Sequence, residues 1–317
     1  MSKQNFELIN DEIKNRFIKL KKNNPEKLIP RLNFSWSNWG FGMESLEDSL
    51  NRLKKAGINY IELHGNHYSD DLGYNLNDTL NLLNKYEIKV SGICGMFSDE
   101  NDLSSNSHLS RQAAIDYVKR EVDFVKKVGG HYLLVVPGAV GRPNAYDNTE
   151  FIRSAETLKK LGDLFVDNNI KAAIEPVRAD EVSLVHNVHE AKRYINTVNH
   201  KGINHINGDL YHMQTEETHI GNAILDADDQ LVNLHLADSN RGELGSGFLD
   251  LDTVIMALYL IGFNKPGRFI TAEPLGVGSD PYAAMHAIQD TKSLDQLVIN
   301  SVEYFRYREK ILLENFN

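Results

Sequence analysis

Short apolar runs alternate with longer amphipathic stretches along nearly the whole chain. After Pro30, eight runs read as strands, at 32–36, 58–63, 88–94, 131–137, 170–175, 203–209, 231–235 and 268–273. Each is brief and mostly apolar, and each gives way to a loop before helical periodicity begins. The unit recurs roughly every 25 to 45 residues, the rhythm of consecutive βα units. Ser45, with Asp48 three residues on, resembles a capping box ahead of Leu46, Leu50 and Leu53, and Gly57 closes that helix. A helix over about 108–128 stops at Gly129-Gly130. Eight such units without a proline- or serine-rich linker predict an α/β fold, the (β/α)8 TIM barrel.

Residues 1–30 stand outside the eight units as an N-terminal helical extension, leaving 31–317 as a single barrel domain. Phe6, Ile9, Ile13, Phe17 and Leu20 fall at helical spacing among Lys, Asn and Glu, which predicts an amphipathic helix. Its expected role is to cover the lower end of the barrel. The alternative is a subunit contact, and with it a homo-oligomer, dimer or tetramer. The last helical pattern, from about 285 to 313, is also long and suits either role.

Composition narrows the function. A net charge of −10 leaves no basic footprint, so neither nucleic acid nor an anionic membrane surface is an expected partner. No apolar run reaches membrane-spanning length, and the start of the chain has no signal-peptide core. The single cysteine, Cys94, excludes an internal disulfide and fits a reducing cytoplasm. Within its apolar run it reads as a buried structural thiol.

Four of the predicted strands end in a residue able to bind a divalent metal: Glu175, Asp209, His235 and Glu273. The carboxyl ends of parallel strands are where a barrel does its chemistry. Singly, each of these residues has a duller reading as a helix cap, an ion-pair partner or a core histidine. Together they predict a metal site. Three carboxylates and one imidazole form an oxygen-rich set, for which Mn²⁺ is the expected ion and Mg²⁺, Co²⁺ and Zn²⁺ are alternatives. Such a site keeps a charge near −1 with a divalent ion bound, which favours a small neutral substrate over a phosphorylated one.

These strand ends carry a resemblance. Ile174-Glu-Pro-Val-Arg-Ala-Asp-Glu181, Gly208-Asp-Leu-Tyr-His-Met213, His235-Leu-Ala-Asp-Ser-Asn-Arg241 and Thr271-Ala-Glu-Pro274, with Asp102-Leu-Ser-Ser105 upstream, resemble the xylose-isomerase-like barrel superfamily. Within it they look most like the ketose 3-epimerases that act on tagatose or psicose. The resemblance implies that Glu175, Asp209, His235 and Glu273 bind the metal and that Glu175 and Glu273 form the acid–base pair. It also implies that Glu181, His212 and Arg241, six, three and six residues after successive ligands, contact the sugar near O1 to O3. Arg241 has a plainer alternative as an ion-pair partner of Asp238 or Glu243.

The chemistry needs such a set. Inverting C3 of a free ketose removes a weakly acidic proton beside a carbonyl, and the cis-enediolate that results spreads charge over O2 and O3. A Lewis acid stabilises that charge. One carboxylate takes the proton from one face and a second returns it to the other.

Glu62 and Trp36, after strands two and one, are expected to line the mouth and touch the sugar, as are His64 and Trp39. Gly245-Ser-Gly247 reads as a tight turn, with a phosphate cradle as the alternative. His64, His67 and His131 raise the trinuclear zinc site of an endonuclease IV-like nuclease, against which the acidic balance argues. An aldose–ketose or inosose-type isomerase or dehydratase on the same metal site is the nearer alternative, and a non-catalytic sugar-binding barrel the remaining one. The N-terminal helix, Pro176 and the loop after strand one depart from typical ketose 3-epimerases, which leaves the choice of sugar open.

Overall fold

The computed structural model describes residues 3–65, 74–275, 287–288 and 290–314. Eight parallel strands close into a barrel in chain order, β8 pairing back onto β1. They are β1 Phe34–Ser37, β2 Tyr60–Gly65, β3 Lys89–Gly95, β4 Tyr132–Val135, β5 Lys171–Ile174, β6 His205–Asp209, β7 Leu231–Leu236 and β8 Phe269–Ala272. Each lies within or beside its predicted run. The helices packed around the strands include α2 Leu46–Lys55, α3 Leu76–Tyr86, α4 His108–Val128, α5 Glu150–Lys159 and α6 Gly162–Asn168. α7 Val188–Val198, α8 Leu210–Glu216, α9 Ile220–Ala227 and α10 Leu251–Leu260 follow.

The local signals act as expected. Ser45 caps α2 by accepting a hydrogen bond from the Asp48 amide at 3.1 Å. Gly129, with φ 76°, ends α4 in the left-handed conformation that glycine adopts without strain.

The N-terminal helix α1, Asn5–Asn23, forms where its periodicity predicts and buries Ile13 and Phe17. Its place differs from the expected one. Instead of covering the lower end of the barrel it lies against α9 and α10: the Phe17 ring is 6.1 Å from that of Tyr259, and Asn10 bonds His219 and Asp250. The cause is α10, whose Val254-Ile-Met-Ala-Leu-Tyr259 stretch is apolar on every side and buried throughout. A helix without a polar face needs cover from the barrel and from outside as well, and α1 supplies the outer layer. The last helix, α11 at Thr291–Glu314, buries Leu294, Val298, Val302 and Phe305. It is anchored through Glu309, which accepts from the Leu32 amide at 3.1 Å and the Tyr259 hydroxyl at 2.9 Å. Among the described residues no helix is long and apolar enough to cross a membrane.

Candidate metal centre

Alternation along the strands decides what faces the barrel axis. In β6 the inward positions include Asn207 and Asp209; in β7, Asn233 and His235; towards the end of β8, Thr271 and Glu273. β6 and β7 are in register here, with Asn207 opposite Asn233 and Asp209 opposite His235. The Glu175 amide donates to Val135 at 3.0 Å and the Glu273 amide to Leu236 at 2.8 Å, so both acids stand at the upper rim on a fixed backbone.

The four predicted ligands converge. Ligand atoms of Glu175, Asp209 and His235 lie within 4.8 Å of one another. His235 Nδ1 is 3.6 Å from Glu175 Oε1 and 3.4 Å from Glu273 Oε2. All four side chains are buried. Burial pushes Glu175 and Glu273 up to about 7 and Asp209 up to about 6, and neighbouring carboxylates add to each shift. Burial opposes a charge on His235, but Glu273 and Glu62 hold its pKa well above the usual histidine value. Three acids that resist ionisation in one buried cluster, around an imidazole drawn towards its charged form, are a set that a divalent cation would relieve. The donor set therefore fits such an ion.

The predicted sugar contacts fall into two groups. Glu181, His212 and Arg241 line the same cavity as the cluster. His212 Nε2 is 3.3 Å from Asp209 Oδ2, while its buried Nδ1 has no hydrogen-bond partner. Burial and the nearby Arg241 and Arg178 keep this imidazole neutral, its pKa well below the usual value. Glu181 accepts from Arg178 at 2.7 Å. The Arg241 guanidinium lies 4.3 Å from the Tyr211 ring centre, with Arg178 at 4.8 Å from the same ring, and Arg241 Nε is buried without a hydrogen-bond partner. Its alternative ion-pair partners are engaged elsewhere. Asp238 accepts from the amides of Ser239, Gly245 and Leu249, and Glu243 accepts from Asn300.

Glu62 and Trp36 do not line the cavity. Glu62 is fully buried inside the barrel beneath His235, because its place within β2 puts it a layer below the rim. Trp36 faces the core and stacks on Phe41 with ring centres 5.9 Å apart, whereas Trp39 lines the cavity. His64 is also buried, its ring 5.1 Å from that of Tyr74.

Two further expectations resolve. The Gly245-Ser-Gly247 segment is a turn: Gly245 has φ 89° and gives its amide to Asp238 at 2.7 Å, so a carboxylate already occupies the position a phosphate would need. His64 lies towards the upper end of β2, while His131 is exposed just before β4, 5.3 Å from the ring of Phe269 at the lower end. They cannot share a metal; His67 lies outside the described residues.

The sequence reading missed the polar layer under the cluster: Tyr132, Asn207, Asn233 and Thr271. The signal was present, since Asn207, Asn233 and Thr271 each precede a candidate ligand by two residues in an otherwise apolar run. Cys94 is buried as expected, but it lies in the cavity wall, its Sγ 4.0 Å from Glu273 Oε1. Burial, then Glu62 and Glu273, push the thiol well above its ordinary pKa, which makes it a poor nucleophile.

Comparison with known proteins agrees with this fold. The family model of the xylose isomerase-like TIM barrel matches residues 50–290. A ketose 3-epimerase of Arthrobacter globiformis is 26% identical over 231 residues, 72% of this chain and 78% of that protein. A 3-dehydro-D-guloside 4-epimerase of Escherichia coli (strain K12) is 24% identical over 231 residues, 70% of this chain and 85% of that protein. Among solved structures, a D-allulose 3-epimerase from Methylomonas sp. in complex with D-allulose superposes with a TM-score of 0.76 at 22% identity, over 88% of this chain and 98% of that one. With most of its length matched, this chain belongs to the xylose isomerase-like TIM barrel family.

Proposed function

We propose that this protein is a divalent-metal-dependent epimerase that inverts C3 of a free ketose. The observation that carries this reading is the pair of buried carboxylates, Glu175 and Glu273, which lie 3.6 and 3.4 Å from His235 Nδ1. They come from β5 and β8, so a sugar lying over the cluster meets one from each side. One glutamate takes the C3 proton and the other returns a proton to the opposite face. Asp209 and His235 serve as ligands only, while Glu175 and Glu273 both bind and move protons. Mn²⁺ is the ion that best suits this hard set, and it would supply Lewis-acid stabilisation of the charge developing on the sugar oxygens.

The chain's own residues orient the sugar. His212 Nδ1 and Arg241 Nε, both buried and without hydrogen-bond partners, are positioned to meet hydroxyl groups, and Glu181 completes that wall. Trp39 takes the aromatic role in place of Trp36, and Glu62 acts from below. The charge balance supports a neutral sugar. A divalent ion against Glu175, Asp209, Glu273 and Glu62 leaves a net −2, and Arg241 returns it only to −1. A phosphorylated ketose would be repelled. The single buried free thiol supports a cytoplasmic setting, and exposed Phe6 and Phe248, at 52% and 88%, support a homo-oligomer.

The likeness to both 3- and 4-epimerases makes the position of inversion the point to test. Glu273→Gln is expected to keep sugar binding, measured calorimetrically with metal present, while turnover falls by roughly two or more orders of magnitude. An unchanged rate would refute the acid–base assignment.

A further inference from the structure

The interior of an (β/α)8 barrel is ordinarily filled by bulky branched side chains. Here the layer under the candidate metal cluster is polar: Glu62, Ser91, Tyr132, Asn207, Asn233 and Thr271 are all fully buried. A carboxylate so placed must be met by donors. Glu62 is, with His235 Nε2 3.0 and 3.1 Å from its two oxygens, the Tyr132 hydroxyl donating at 2.6 Å and Asn233 Nδ2 at 3.3 Å. With Nε2 turned to the two Glu62 oxygens, Nδ1 is the ring nitrogen left facing Glu175 and Glu273. The same layer reaches a second ligand. Asn233 is fixed by Thr271, which donates to its Oδ1 at 2.7 Å; Asn233 Nδ2 donates to Asn207 Oδ1 at 2.7 Å, and Asn207 Nδ2 donates to Glu175 Oε1 at 2.9 Å.

We propose that Glu62 is a positioning residue: held by Tyr132 and Asn233, it fixes the His235 ring so that Nδ1 is presented to the metal, while Asn207 aligns Glu175 from the same layer. The proposal rests on reading Glu175, Asp209, His235 and Glu273 as a metal site. Burying a carboxylate is a poor way to stabilise a core, since apolar replacements of similar volume are often at least as stable. Orientation of ligands is a better account of its presence, because donors or acceptors behind a ligating histidine govern its affinity for the ion.

The test uses the full-length protein, stripped of metal and titrated with Mn²⁺ by calorimetry, alongside Glu62→Gln, Tyr132→Phe and Asp209→Asn. Glu62→Gln is expected to weaken Mn²⁺ binding about ten- to hundredfold and to alter the visible absorption of the Co²⁺-loaded protein. At saturating metal, its sugar KM should stay near the wild-type value while kcat falls. Tyr132→Phe, which leaves the carboxylate in place but less firmly held, should show a smaller loss in the same direction. If Glu62→Gln binds Mn²⁺ with wild-type affinity and gives an unchanged Co²⁺ spectrum, the polar layer only fills the barrel and the proposal is wrong. Should Glu62→Gln fail to fold, Tyr132→Phe decides: unchanged Mn²⁺ affinity and Co²⁺ spectrum overturn the proposal. Asp209→Asn separates the two claims. Wild-type Mn²⁺ binding by that variant, or none by the wild type, overturns the metal-site reading and the positioning role with it; loss of binding in Asp209→Asn beside normal binding in Glu62→Gln overturns only the positioning role.

Discussion

Stripping divalent ions from the protein should expose a pH dependence of stability with a definite sign. Glu175 and Glu273 titrate at about 7 in the folded protein, against 4.5 as the ordinary value. A carboxyl whose folded pKa is raised binds its proton more tightly folded than unfolded, so stability falls as pH rises from 4.5 through 7. His235, whose pKa is raised above 6.5, acts in the same direction, its contribution being lost as pH climbs through the folded value. Buried neutral histidines oppose this at lower pH: His64 and His205, both near 4 through burial, gain stability as pH rises towards 6.5. Above 6.5 each of these two histidines has about 0.4 kcal/mol of that gain still to come, about half of what each glutamate loses. Between pH 6.5 and 8 the two glutamates alone should lower stability by roughly 2 kcal/mol, a few degrees of melting temperature for a chain of this size. Mn²⁺ abolishes the need for those protons, so its stabilising effect should grow over the same window. Differential scanning calorimetry of chelated and Mn²⁺-loaded protein at pH 6.5, 7.2 and 8 measures both. A melting temperature of the chelated protein that is flat or rising across the window, with a metal-induced increase independent of pH, would refute the assignment of these acids to one cation site.

Further outcomes follow from the same geometry. Arg241→Lys should raise the sugar KM several-fold with little change in Mn²⁺ affinity, because a lysine cannot reproduce the guanidinium stacked at 4.3 Å on Tyr211; steady-state kinetics reads this. Trp36→Ala should cost about 3 to 5 kcal/mol of stability as a cavity in the core, by denaturant unfolding of the metal-loaded protein, whereas Trp39→Phe should leave stability nearly unchanged and shift KM. Ketose 6-phosphates should be turned over at least tenfold less efficiently than the corresponding free ketoses, and equal kcat/KM for the two would contradict the charge argument.

Most of the barrel was legible because strand and helix periods differ and because glycine and serine mark helix ends without tertiary help. The meeting of Glu175, Asp209, His235 and Glu273 was legible for a related reason: each closes an apolar strand at the chemical end of a barrel, and although one such residue has ordinary structural uses, as Asp209 capping α8 shows, four together call for a common one. Glu62 and Trp36 show where that logic stops. Both follow from the right strands, but a shift of one layer along the axis separates a cavity wall from the interior, and apolar patterning does not fix depth. Asn207 and Asn233 were overlooked because an amide inside an apolar run reads as an imperfection until its partner on the next strand is known. The position of α1 depended on the all-apolar face of α10, a long-range match between two segments that are each unremarkable alone.

The central claim is tested most directly by incubating the Mn²⁺-loaded enzyme with a free ketohexose in D₂O and following each carbon-bound proton by NMR. Deuterium entering at C3, together with appearance of the C3 epimer and loss of both on chelation, is the expected result. Label confined to C1 with aldose formation, or inversion at C4 without exchange at C3, would contradict it.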